Sequence, residues 1–551
     1  MRLFKTSKIR QTVSLDGLWR FKIDPENVGG SEKWYESFPE DCDKMCVPLC
    51  WYAEIEYFKY EGKAWYYTAF ESSSETFVLS FESVQKYCEV YIDGKFAQSH
   101  YGGFTGFKVE GKGVGMHSLV VLADNTHDDM NTIPLSHVDW FHYGGISGSV
   151  TLTPFDGAYI DSHRITYSLN SMSAEGVVNF SIKGDYDGKA QIIFNGKEIG
   201  RFDAKTGENI VKVSFGEIEL WNIDNPKLYE IRIVIDTDDI IDRLGFRSIE
   251  SKDGKIYLNG EAITLKGVNR HNESPDFGFS IPFTLMKRDV GIIKNMNCNM
   301  IRGSHYPNPE ILLDYFDETG MLFWEEIPMW GFREAPLGNP LIMERGLKMH
   351  QEMIDRDYHH PSIIIWGLHN EIDTSCENAY EITKAFSQLV RKNDSSRLIT
   401  YASNRHGRDI CFEFADIISV NIYPGWYGGQ ETDKGCEALM NKILDNIDRT
   451  NSSSKPLIIS EFGAGGIFGQ STFKHAKWTE QYQAELLKTL IPKFFNEYNV
   501  CGTFVWQYCD IYTAFEKEME RPRTFNNKGM VDEYRRPKFA YYTVKDIYGK
   551  L

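Results

Sequence analysis

Between residues 253 and 551 the sequence repeats one pattern eight times: a short apolar run, then a stretch with helical spacing. The runs are "AITLKGVN", "NMIRGSH", "LFWEEI", "IIIWGLHNE", "LITYAS", "IISVNIY", "PLIISEFGA" and "GTFVWQYCD", with stretches such as "ILLDYFDETG" and "ENAYEITKAFSQLVRKN" between them. Runs this short and this apolar read as strands buried on both faces, and the intervening helices make their sheet parallel. Eight such units of about thirty residues describe a closed (β/α)8 TIM barrel. A doubly wound sheet would bring a Gly-rich first turn, which this region lacks.

The chain before the barrel is β in character. "FVLSFESV" and "CEVYIDGKFAQ" alternate at period 2, and "VVNFSIKGDYDGKAQIIFNGKEIGRF" and "LYEIRIVIDTDD" continue the theme at about one strand per ten residues. A chain of 551 residues is too long for one core. The expected architecture is multidomain β plus α/β: one sandwich over 1–158, a second over 159–252 and the barrel over 253–551.

Charge and composition narrow the partners. The formal net charge of −18 argues against nucleic acid or an anionic membrane, and an anionic substrate would need a local cation in its pocket. Aromatic residues at 14% fit ring-lined clefts. "MRLFKTSKIRQTVSLDG" has no signal-peptide apolar core, and no apolar run approaches the roughly 20 residues of a membrane span. The expected location is the cytoplasm, where the 10 Cys stay reduced. Cys42, Cys46 and Cys50 in "CDKMCVPLC" lack a fourth ligand nearby and match no common zinc or iron–sulfur spacing. No metal or other cofactor is expected.

In a TIM barrel the functional groups gather at the C-terminal ends of the strands. Those ends carry Asn269, Arg270, His305, Glu325, Glu326, Asn370, Glu371, Tyr423, Glu461, Trp506 and Asp510. Any one of them could simply be a polar strand end; the set carries the argument. Glu371 and Glu461 stand out, because a carboxylate directly ending an apolar strand needs a reason for its burial. They end the fourth and seventh strands, which lie across the barrel from each other. Two facing carboxylates in unlike environments suit glycosidic bond cleavage, one protonating the leaving oxygen and the other attacking the anomeric carbon. A metal site is the competing use, but no His lies at ligand spacing from either; His359 and His360 precede the fourth strand, on the opposite mouth. The glycines of "EFGAGGIFG" fit neither GxGxxG nor the Walker spacing, so no nucleotide is expected.

On these motifs the chain resembles glycoside hydrolase family 2, which includes β-galactosidases, β-mannosidases and β-glucuronidases. "SLDGLWRF", "FESVQKYCEVYIDGK" and "HYGGFTGF" resemble its N-terminal sugar-binding jelly roll. "LWNIDNPKLYEIRI" and "DRLGFRSIE" resemble its immunoglobulin-like sandwich, and "GVNRHNESPDFG", "IRGSHYPN", "HHPSIIIWGLHNEID" and "PLIISEFGA" its barrel. The resemblance implies Glu371 as acid/base and Glu461 as nucleophile of a retaining double displacement, with Asn370 on the sugar 2-hydroxyl. It further implies that Tyr423 orients the nucleophile and that His305 and Trp506 line the sugar subsite; core packing is the competing account of Trp506. Glu371 must start protonated, so burial or the charge of Glu461 should raise its pKa. Retention requires the two carboxyls about 5–5.5 Å apart. Relatives commonly form oligomers, so a homo-oligomer is expected.

Three further stretches bear on the sugar. "NIYPGWYGG", with Tyr427, resembles the Tyr-rich loop after the sixth strand of β-glucuronidases, and "VDWFHYGGISGSV" their jelly-roll loop whose aspartate, here Asp139, reaches the sugar. "NNKG" fits the Asn-x-Lys motif that holds a substrate carboxylate, with Asn526 and Lys528 in its two positions. Lys528 would be the local cation that the net charge demands, and a neutral galactose or mannose would leave it unpaired. An ordinary exposed Lys in a surface turn is the competing account. One departure stands: "WEEIPMWGFREAPLGN" is closer to galactosidase-type relatives, and its Arg333 is expected at the pocket as a second cation or near sugar C4. The expected activity is a retaining exo-β-glucuronidase acting on small uronic acid glycosides, with β-galacturonidase or a dual β-hexuronidase as the alternative. Lys528 speaks against a β-galactosidase, and the joint presence of Glu371 and Glu461 against a non-catalytic carbohydrate-binding protein.

Overall fold

A computed structural model describes residues 2–427, 431–514, 517 and 519–551. In the N-terminal region alternation produces antiparallel pairing. Strand Thr76–Phe81 turns Phe77, Leu79 and Phe81 into one core, and its partner Phe107–Lys112 adds Phe107 and Val109. Six strands form one sheet, in the order Asp43–Val47, Gly17–Ile23, Lys63–Ser72, Gly115–Asp124, Tyr87–Ile92, Lys95–Tyr101. Four form the other, Val13–Ser14, Val150–Phe155, Thr76–Phe81, Phe107–Lys112, and the two sheets share a core that includes Trp19, Phe21 and Leu119.

The second region departs from a spacing of one strand per ten residues. Two of its strands, Ser173–Phe194 and Lys197–Glu217, run 22 and 21 residues. Their mutual register shifts between Ile182 and Asp187. Before the shift Ser173–Phe194 also pairs with Tyr159–Asn170, and after it with Tyr229–Ile235. One long ribbon thus serves both layers of the sandwich, around a core that includes Val178, Phe180, Ile192 and Phe194.

The barrel closes in chain order through β1 (Leu265–Asn269), β2 (Met300–Gly303), β3 (Leu322–Glu326), β4 (Ile363–Asn370), β5 (Leu398–Ser403), β6 (Ile418–Asn421), β7 (Leu457–Phe462) and β8 (Gly502–Val505). Helices wrap it by their apolar stripes; Glu377–Asn393 buries Ala379, Ile382, Phe386 and Val390. A three-stranded sheet, Ile249–Lys252, Lys255–Leu258 and Glu261–Ile263, spans the expected joint at 252/253. Its Ile256 and Leu258 pack with Leu265, Met300 and Leu322 at the N-terminal mouth. Arg247, buried, donates to the carbonyls of Pro361, Ile363 and Ser396 and ties the second region to the start of β4. With that mouth covered, the C-terminal ends of the strands are left for chemistry.

Among the described residues no helix is long and apolar enough to cross a membrane. All 10 Cys are free thiols. Cys46 is exposed on its strand while Cys50 is buried beside Ser280, and the cluster with Cys42 is not among the groups that meet ligand distances.

Candidate active site

Arg302, the third residue of β2, organises the barrel floor. Its buried guanidinium donates to Glu326 at 3.0 and 2.8 Å, to Glu461 Oε1 at 2.8 Å, to Asn370 Oδ1 at 2.7 Å and to Asn269 Oδ1 at 3.1 Å. Burial opposes this charge, but Glu326 and Glu461 outweigh it and raise the guanidinium pKa. Glu461, on β7, is held at both oxygens: Arg302 donates to Oε1, and the Tyr423 hydroxyl to Oε2 at 2.8 Å. Such a clamp fixes the direction of a nucleophile and compensates its charge.

Glu371 leaves β4 with a left-handed φ of 52°, a conformation that costs a non-glycine residue on the order of 1–3 kcal/mol. Its Oε1 accepts from Asn421 Nδ2 at 2.8 Å. Burial first, and then the negative charge of Glu461, push its pKa up to about 7. A carboxyl with that value is protonated often enough near neutrality to act as a general acid. Asn370 Oδ1 is taken by Arg302 and, at 3.2 Å, by Asn421, which fixes the amide orientation. Its Nδ2 is then a buried donor with no partner, open to a hydroxyl oxygen.

His305 accompanies this floor as a neutral ring. Burial and then Arg302 push its pKa down to about 3, and its Nδ1 lies 2.7 Å from Glu326. Trp506 stacks on it at 5.1 Å between ring centroids, and Trp140 from the jelly roll approaches at 5.4 Å. Trp506 is 3% exposed and thus does pack, but against a residue of the floor.

The rim is built by loops. Lys528, only 2% exposed, donates to the Tyr427 hydroxyl at 3.0 Å and lies within 5.7 Å of the Tyr423 ring centre. Among the described residues no carboxylate lies within ion-pair distance of it, and burial lowers its pKa. The surface-turn account of Lys528 fails on that burial. Asp139 does reach the rim, where Lys517 pairs with it at 2.9 Å and Arg521 at 2.5 Å. Burial disfavours its charge, but Arg521, Lys517 and Lys528 outweigh that and hold the carboxyl below its ordinary range. Asn526 Nδ2 stands 3.4 Å from Asp139, while Asn526 Oδ1 and Arg521 Nε are buried without partners. Tyr427 keeps 56% of its surface exposed even though its hydroxyl is engaged.

Arg333 is not brought to this cluster. Phe332 is buried and anchors the loop, and Arg333 stands exposed before the short helix Glu334–Leu337, with no described contact to the rim. Conversely, Arg302, Asn421, Lys517 and Arg521 belong to the cluster without having been singled out. For Arg302 and Asn421 a signal existed, since each directly follows an apolar run within its strand. Lys517 and Arg521 sit in a mixed-charge run, "EKEMERPR", that looks solvated.

Among the described residues two carboxylate–histidine groups elsewhere come within metal-ligand distances, and neither fits an ion. In His163–Asp242–His359, His359 Nε2 accepts from the Ile165 amide at 2.9 Å, so its proton is on Nδ1, directed at Asp242 at 2.7 Å. The nitrogen that faces the group then has no free lone pair. In Asp314–Asp317–His360, Arg2 already occupies Asp314 at 2.8 Å. A cavity of about 890 Å3 lies at the junction of the three regions, lined by Phe81, His163, Met286 and Glu310 among others, away from the ends of β4 and β7.

A barrel whose fourth and seventh strands present a raised-pKa Glu and a clamped Glu is the frame of a glycoside hydrolase. Residues 249–551 match the model of the glycosyl hydrolases family 2 TIM barrel domain, and 158–247 a second glycosyl hydrolases family 2 model. The chain belongs to that family. A solved family 2 β-galacturonidase from Eisenbergiella tayi, bound to galacturonate, is 35% identical with a TM-score of 0.92, covering 100% of this chain and 99% of that one. A β-glucuronidase from Paenibacillus borealis is 27% identical over 99% of this chain and 98% of its own. A putative β-glucuronidase from Formosa agariphila is 28% identical over 87% of this chain, which spans 62% of that longer protein.

Proposed function

We propose that the protein is a retaining, exo-acting β-hexuronidase. The observation that carries this reading is Lys528: an ammonium 2% exposed, without a carboxylate partner among the described residues, in a chain of net charge −18. Leaving such a charge unpaired costs several kcal/mol, and a substrate carboxylate removes the penalty. Arg521, whose buried Nε–H has no partner, and Asn526 Nδ2, whose contact to Asp139 is a long 3.4 Å, supply the donors that complete a cradle for it. Tyr423 joins the two ends of the site, its hydroxyl on Glu461 and its ring beside Lys528.

The reaction then runs in two steps. Glu461 attacks the anomeric carbon while Glu371 gives its proton to the leaving oxygen, and Asn370 Nδ2 holds the 2-hydroxyl. Glu371, now ionised, takes a proton from water; the water oxygen displaces Glu461 and the free uronic acid leaves. Retention of configuration follows from the two inversions.

From the sequence alone the expected substrate is the glucuronide. The 35% identity to a β-galacturonidase, against 27% to a β-glucuronidase, favours the C4 epimer, and we set galacturonide ahead on that likeness. The test compares kcat/KM on p-nitrophenyl β-galacturonide, β-glucuronide and β-galactoside. A galactoside rate equal to the better uronide would sink the uronate reading, and a glucuronide rate above the galacturonide would reverse the C4 preference.

A further inference from the structure

Beneath the rim lies an ion pair that the two-step reaction does not use. Lys538, the residue before the C-terminal helix Phe539–Tyr548, pairs at 2.7 Å with Asp510, five residues beyond the end of β8. Neither side chain has exposed surface. The Lys538 ammonium uses all three of its protons: on Asp510 Oδ1, on the Gly466 carbonyl at 2.6 Å and on the Asn527 carbonyl at 3.2 Å. One cation therefore joins the loop after the Glu461 strand, the segment after β8 and the Asn-x-Lys loop.

Asp510 grips the same loop from the other side. Its Oδ1 accepts the Gly529 amide at 2.8 Å, so the residues on both flanks of Lys528 are held by the pair. A methyl group at Gly529 would stand 2.3 Å from the Asp510 nitrogen and 2.6 Å from its carboxylate. The glycine of "NNKG" is thus what lets the loop lie directly on Asp510. A fully buried ion pair is a poor source of stability, because desolvation consumes most of the Coulomb gain. Its geometric effect is the better account.

We propose that Asp510 and Lys538 are positioning residues for carboxylate recognition. They set the Asn-x-Lys loop at a fixed height against the strand of the nucleophile, so that Lys528 meets the C6 carboxylate while Glu461 meets the anomeric carbon. This rests on the uronide reading of Lys528.

The test uses two iminosugar inhibitors, one with a carboxylate in place of C6 and one with a hydroxymethyl group. The double variant Asp510→Asn/Lys538→Met removes both charges at nearly constant volume. It should weaken the carboxylate inhibitor on the order of tenfold, as expected for a shift of well under 1 Å in a binding group. The hydroxymethyl inhibitor should change by no more than about twofold, since its contacts lie on the floor. Equal losses for both, or none for either, overturn the proposal. If the double variant fails to fold, Asp510→Asn alone, which keeps one acceptor oxygen and the side-chain shape, is judged by the same ratio. Lys528→Ala in the same assay separates the two readings. An unchanged ratio there removes the uronide reading itself; a collapsed ratio there, with the pair variants unaffected, removes only the positioning role.

Discussion

On the barrel floor the carboxylates of Glu326 and Glu461 share Arg302 at 2.8 Å each, whereas on the rim Lys528 has no carboxylate within ion-pair distance among the described residues. The rim sets Lys517, Arg521 and Lys528 against Asp139. The floor comes from strand ends with short, fixed backbones, and its Glu326 and Glu461 carboxylates are already held by Arg302 and Tyr423 before substrate arrives. That suits the stabilisation of charge that appears only during the reaction. The rim comes from loops and carries surplus positive charge, which suits a charge already present on the ligand. Specificity and turnover should therefore separate under mutation.

The largest effects belong to the floor. Glu461→Ala should lower kcat by about 10⁴-fold or more, the scale of a lost nucleophile. Glu371→Ala should cost about 10²–10⁴-fold, and least with a nitrophenolate leaving group, which needs little protonation. Thermal unfolding should stay close to wild type in both. A near-normal rate from either folded variant would break the floor as described.

On the rim, Lys528→Ala should lower kcat/KM on the better uronide by about 10–100-fold, the worth of one charge-assisted hydrogen bond. It should hardly alter affinity for a neutral sugar mimic. Because no carboxylate among the described residues lies within ion-pair distance of the buried ammonium, Lys528→Met should also raise the melting temperature of the unliganded protein. A fall in melting temperature would show that Lys528 holds the rim together instead of waiting for a ligand.

A smaller effect connects floor to pH. Glu371 acts while protonated, so with its pKa near 7 the rate should decline as pH rises through about 7. The Asn421 amide favours the ionised form, and Asn421→Leu removes it. The Glu371 pKa then rises, and the alkaline limb of kcat/KM should move up by roughly half to one pH unit. A limb that stays in place or moves down contradicts the role given to Asn421.

The contrast between floor and rim also separates what was legible from what was not. The barrel could be read because each strand is a continuous apolar run, and Glu371 and Glu461 because a carboxylate ending such a run violates the burial rule. Arg302 and Asn421 directly follow runs of the same kind, yet their roles arise only when β2, β4, β6 and β7 converge. Spacing along the chain does not report convergence around a barrel. Lys517 and Arg521 were hidden further: their partner, Asp139, lies 378 and 382 residues earlier, on another domain. The 22-residue strand of the second region escaped because the glycines of "KGDYDGK" have the pattern of a turn, whereas they stand at a register shift inside one continuous strand.

The smallest effect is expected at Arg333, an exposed rim candidate to which the structure gives no contact with the rim. It has no described contact with Asp139, Lys528 or either catalytic-site Glu, and exposed side chains of this kind change stability by about 0.5 kcal/mol or less. Arg333→Ala should therefore alter kcat/KM by less than about threefold on both the galacturonide and the glucuronide. The ratio of the two substrates is the sharper readout. If the variant lowers one epimer tenfold and spares the other, the guanidinium reaches sugar C4 only in the complex, and C4 selection belongs to a loop that folds over the substrate. If the ratio holds, that selection must come from groups already in place, of which Asp139, fixed by Lys517 and Arg521 beside Asn526, is a charged one that the jelly roll contributes.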